Sequence, residues 1–92
     1  MTEPTHFPQA TLDQLELHQS AHVHSVQAPP AAPEWAQWLT DLGFIPGEPV
    51  KLLARGRPGN DPLVVRVGDS TFALRRAEAA CVQVEPDGAL PR

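Results

Sequence analysis

The sequence predicts a mainly β fold, a small twisted barrel of about five short strands with one short α-helix. Three observations carry that reading. At 92 residues the chain has room for a single core. Its eleven prolines interrupt every long stretch, which excludes long helices and, at this length, doubly wound and (β/α)8 enzymes. From Val50 onward, apolar and polar side chains alternate with the period of two that half-buried strands require. A hydrophobic share of 41% separates the chain from the disordered class.

Residues 1–10 are polar and broken by Pro4 and Pro8, which leaves little to bury and reads as a tail. Residues 11–86 form the domain, and residues 87–92 a second tail. Leu12, Leu15 and Leu17, interleaved with Asp13 and Glu16, fit a turn or single helical turn leading into an extended stretch over residues 18–26. Pro29, Pro30 and Pro33 stiffen residues 27–33 into a surface connector. Trp35, Trp38, Leu39 and Leu42 then recur at i, i+3, i+4 and i+7, the period of a helix over residues 34–42. Gly43 can take the positive φ that ends a helix, Phe44 follows where the chain folds back onto Leu39, and Pro46 prevents continuation.

Val50, Leu52 and Ala54 alternate with Lys51 and Arg55, and Leu63, Val65 and Val67 with Val64 and Arg66, giving two strands with the first-named residues inward. The turn formers between Arg55 and Pro62 join them, and Asp61 is expected to cap a turn. Gly68-Asp69 is a two-residue turn with glycine where type II′ needs it, followed by a strand with Phe72 and Leu74 inward. One helical turn around Ala77 to Ala79 precedes a last strand from Cys81 to Val84. Five strands and one helix describe an SH3-like barrel, although an OB-like barrel reads almost the same.

Seven basic against eleven acidic residues leave a net charge of −4. Nucleic acid is excluded as a partner, because phosphate recognition needs a basic stripe and aromatic platforms that two tryptophans and three phenylalanines do not supply. No basic start followed by an apolar run marks a secretory leader, and no stretch has the length of a membrane span. Cys81 stands alone, so a disulfide framework is ruled out and a cytoplasmic location is expected. It opens an apolar strand and reads as an inert buried thiol. Scattered carboxylates give no acid–base pair.

His22 and His24 stand two apart on an extended segment and so share a face, with His18 and Glu16 or Asp13 as further donors. Imidazole and carboxylate suit Zn2+ or Fe2+. No cofactor is required for folding on this reading, and weak metal binding, even a metal-bridged dimer, is one outcome. The other is a solvent-facing polar row. Arg75-Arg76 reads as a solvated pair bonded to a neighbour such as Glu78.

The order Leu39-Thr40-Asp41-Leu42-Gly43-Phe44-Ile45-Pro46-Gly47, then Val50, Asp61-Pro62, and Phe72-Ala73-Leu74-Arg75-Arg76 with Glu78-Ala79 and Val82, resembles the FeoA family of bacterial ferrous iron transport. The resemblance spans about Leu12 to Glu85. It implies an SH3-like barrel and a non-catalytic role: binding and modulating the FeoB membrane transporter through its cytosolic GTPase domain, with no membrane insertion by this chain. Gln37-Trp38 stands where the family commonly has arginine or lysine, and the glycine of the Gly59-Asn60-Asp61-Pro62 loop is shifted by one. Two other functions are open: a metal sensor or delivery protein using His22 and His24, and a stand-alone SH3-like regulatory domain akin to that of iron-dependent repressors. Because strands spend one face on the core, recognition is expected on loops and helix, at Trp35, Trp38, Phe44, Arg55 and Arg57, with Trp38 foremost.

Overall fold

The structure, a computed structural model, describes residues 10–56, 59 and 61–87. Among these residues six strands form one antiparallel sheet in the order β1-β6-β2-β3-β4-β5. They are β1 (Ala10–Thr11), β2 (Ser20–Val26), β3 (Pro49–Arg55), β4 (Leu63–Val67), β5 (Ser70–Leu74) and β6 (Val82–Pro86). A single 3-10 turn, Leu12–Gln14, follows β1; α1 (Glu34–Leu42) joins β2 to β3, and α2 (Arg76–Ala79) joins β5 to β6. The strand beyond the expected five is β1, which pairs Ala10 with Val84 and Thr11 with Gln83 and is too short to show a period. The inward residues of β2 to β6 meet Leu12, Leu15, Leu39 and Phe44 in one apolar cluster, so the sheet curls around a single core. No polar or charged side chain is buried among the described residues.

α1 starts and stops where its period and end signals place it. The Gly43 N–H donates to the Thr40 carbonyl at 3.0 Å and the Phe44 N–H to the Leu39 carbonyl at 3.1 Å, the paired bonds of a Schellman stop. Gly43 takes φ +120° to make them. That reversal drives Phe44 into the core, where it is fully buried and its ring lies 6.3 Å from Phe72 at a 47° tilt. Phe44 was expected on the recognition surface; the helix stop puts it inside, because the residue after the left-handed glycine folds back over Leu39. Phe72 faces inward as expected, but it is half-buried and packs on the edge of the cluster.

One departure in β3 matters. Val50, Lys51 and Leu52 pair with Val67, Arg66 and Val65, but Ala54 and Arg55 pair with Val64 and Leu63, which leaves Leu53 as an extra residue. A bulge of this kind resets the alternation. Ala54, expected inward, is exposed, and Arg55, expected outward, is opposite buried Leu63. Its guanidinium donates to the carbonyls of Leu15 at 2.6 Å and Asp13 at 3.3 Å, tying the end of β3 to the segment that follows the 3-10 turn. The His18 N–H, donating to the Leu52 carbonyl at 2.7 Å, closes the same seam.

The β4–β5 turn has Gly68 at φ +57° and no positive φ at Asp69, as type II′ requires. Asp61 caps, but not its own turn: its carboxylate accepts from the Arg76 N–H at 3.0 Å and so satisfies the first turn of α2.

Gly43→Ala is expected to destabilise by about 1–2 kcal/mol, since Cβ meets only Val67 at 3.8 Å and the cost is the strain of a positive φ. Phe44→Ala costs more, about 3–5 kcal/mol, and Phe72→Ala less than Phe44→Ala. Urea denaturation checks the order; a Phe72→Ala loss exceeding that of Phe44→Ala contradicts it. Arg55→Ala removes two charge-assisted bonds and is expected to cost about 1.5–3 kcal/mol, whereas a solvated loop arginine would cost nothing measurable in the same melts.

Candidate functional site

Leu39 is wholly buried and Trp35 and Leu42 are half-buried against the core, so α1 is seated without its remaining large side chain. Trp38 is 39% exposed, and with Leu17 and Ile45 it is one of three large hydrophobic residues exposed among those described. Glu34, Gln37, Trp38 and Asp41 recur at i, i+3, i+4 and i+7, which stacks them on one helix face. Glu78 of α2 approaches from the side, and with Trp35 these residues line a shallow groove. The Gln37 side-chain amide donates to Asp41 at 2.8 Å, and Glu78 accepts from the Arg75 N–H at 2.8 Å, so both carboxylates are oriented. α1 carries no lysine, arginine or histidine.

The other expected contact residues separate. Phe44 belongs to the core. Arg55 is spent on the Asp13 and Leu15 carbonyls, because the Leu53 bulge turned it inward. Arg57 lies outside the described residues. Trp35 and Trp38 stay together, joined by the carboxylates of Glu34, Asp41 and Glu78, none of which is among the contact residues expected from the sequence. Their signal was available: the outer face of α1 repeats acid, amide, indole and acid without one basic residue.

His22 and His24 are both exposed on β2, as their spacing implies. Each has its own acid, drawn from the other end of the chain by the β2–β6 pairing. His22 Nδ1 lies 2.6 Å from Asp87 and His24 Nδ1 3.3 Å from Glu85. A bulge at His24, between the Val23–Val84 and Ser25–Gln83 pairs, interrupts the ladder between the two histidines' neighbours. His18 sits apart, exposed, with φ +67° ahead of the strand. Among the described residues no three His, Cys, Asp or Glu converge as a metal site.

Cys81 is buried and its thiol donates to the Ala77 carbonyl at 3.5 Å. Burial, and after it the charge of Glu78, push the thiol pKa up, which holds it protonated and unreactive. Arg76 reaches the Gly59 carbonyl at 3.4 Å, while Glu78 bonds the Arg75 backbone rather than either guanidinium.

The family model of the FeoA domain matches residues 10–86. No curated protein matches the chain. Among solved structures, Stenotrophomonas maltophilia FeoA, crystallised with zinc and described as an SH3 domain protein, is 48% identical; the match covers 82% of this chain and 88% of that one, with a TM-score of 0.74. FeoA of Chlorobium tepidum is 30% identical over 89% of this chain and 79% of that one, with a TM-score of 0.69. A manganese-dependent transcriptional repressor matches 90% of this chain with 44% of its own at a TM-score of 0.74; at 19% identity this is a likeness of fold alone. The barrel is SH3-like, and from the first strand through the Schellman stop to the last strand the chain belongs to the FeoA family.

Proposed function

We propose that this protein is a non-catalytic accessory factor of ferrous iron uptake that docks on the cytosolic GTPase domain of the FeoB transporter and modulates it. Family membership supports the setting, as does the description of the S. maltophilia relative, which puts it forward as a ferrous iron transport activating factor. Trp38 carries the reading: the core is complete without it, yet a large indole is held on a rigid helix facing solvent. Tryptophan is the side chain most enriched among residues that dominate interface energy. The buried, protonated thiol of Cys81 is unsuited to nucleophilic chemistry, in keeping with this reading. Docking modulates the transporter by favouring whichever of its states presents the better partner surface, since only differential affinity shifts an equilibrium. The reading places the protein in the cytoplasm, at the membrane through its partner; among the described residues no helix is long and apolar enough to cross one.

Zinc in the S. maltophilia crystal supports a second reading, surface metal affinity at His22 and His24. The donors are chemically suitable, but among the described residues no three converge. On this reading a bound zinc is shared between two copies. Sedimentation with Zn2+ is expected to show dimers that disappear on chelation and in His22→Ala/His24→Ala. Zinc-dependent dimers of equal strength in the double variant contradict the assignment.

Trp38→Ala is expected to stay folded and to dissociate from an immobilised FeoB cytosolic domain about tenfold faster or more, since each 1.4 kcal/mol of lost contact is a factor of ten. Identical dissociation rates for wild type and variant would remove this face from the account.

A further inference from the structure

We infer that the α1–α2 groove takes a cationic segment of its partner, with an arginine or lysine seated over the Trp38 indole and between the carboxylates. The inference rests on the docking reading and adds the chemistry of what docks. Three features point the same way.

The first is the lining itself. Glu34, Asp41 and Glu78 border the two indoles, and among the described residues none of the three has a basic group within ion-pairing distance. An indole face attracts a cation through its quadrupole, and a guanidinium can stack on the ring while its N–H fork reaches a carboxylate.

The second is Asp41. It stands in the last turn of α1, where the helix end is already partially negative, and that turn holds no basic residue. Natural helices favour cations there. Asp41 therefore opposes the local field, and a partner's cation relieves both the carboxylate and the helix end at once.

The third is the placement of the chain's own basic groups. Arg55 is consumed within the fold, Arg76 reaches Gly59, Lys51 and Arg66 pair with each other's positions across β3 and β4, and Arg75, next to the groove, forms no ion pair with Glu78 among the described residues. With a net charge of −4 the molecule as a whole attracts cations, and the groove is where acid and exposed aromatic surface coincide. Arg55 and Arg57, the basic contacts expected from the sequence, would suit an acidic partner surface. The groove reverses that sign.

A synthetic arginine–leucine peptide and its glutamate–leucine counterpart are the probes, read by tryptophan fluorescence of the intact protein. The arginine peptide is expected to quench the signal with an affinity that weakens as salt rises, and the glutamate peptide is not. Glu34→Lys/Asp41→Lys is expected to weaken arginine-peptide binding about tenfold or more, because two attractive charges become repulsive while the indole stays in place. Glu16→Lys/Asp69→Lys makes the same change of net charge at exposed sites outside the groove and is expected to leave binding nearly unchanged. Equal weakening in the two charge variants, equal binding of both peptides, or reversible self-association that fills the groove with a second copy would each overturn the inference. An immobilised FeoB domain separates this from the docking reading. If it captures wild type and Glu34→Lys/Asp41→Lys alike, the cation preference fails while docking stands. If it captures neither although the arginine peptide behaves as expected, FeoB fails as the partner and the preference stands.

Discussion

The helix stop at Gly43 is the constraint on which the rest of the molecule depends. A 92-residue chain with one core has little surplus apolar surface. The two Schellman bonds convert a change of chain direction into packing, because they deliver Phe44 beside Leu39 and against Phe72. Once those residues are inside, the rotation of α1 about its axis is determined: Leu39 faces the barrel, Trp35 lies at the margin, and Trp38 faces out with Glu34 and Asp41. A different stop would bury a different stripe of the same helix. The candidate site is thus a consequence of how the helix ends rather than a feature added to a finished fold.

Around that anchor the barrel spends its polar groups on closing seams. Arg55 binds the carbonyls beside the 3-10 turn, Asp61 caps α2, and Glu78 holds the Arg75 backbone, each linking segments far apart in sequence or ending a short element. Two of the three groove acids are different, since Glu34 and Asp41 satisfy no backbone group among the described residues, while Glu78 both caps α2 and borders the groove. That difference separates residues that hold the fold from residues left over for recognition.

Much of this was legible in the sequence for local reasons. The bounds of α1, its stop, the type II′ turn at Gly68 and the inward faces of β4 and β5 depend on period and on glycine, both of which are readable in a window of a few residues. What was not legible is set by pairing. The extra residue at Leu53 has no local mark, so Ala54 and Arg55 were assigned to the wrong sides of β3. The acids opposite His22 and His24 come from the β6 end, more than sixty residues away, and nothing near the histidines announces them. Phe44 shows the subtler failure: its fold-back onto Leu39 was readable, yet its place after a helix suggested an exposed loop, whereas the same geometry requires burial.

The central claim, that the outer face of α1 is the surface this protein offers to a partner, is tested most directly by recording amide and indole N–H resonances of the protein while the FeoB cytosolic domain is added. The account predicts that the Trp35 and Trp38 indoles and the amides of Gln37, Asp41 and Glu78 shift or broaden first, with the Lys51 and Arg66 strands unaffected. Perturbations confined to the sheet face of Lys51 and Arg66, or to His22 and His24, would contradict it.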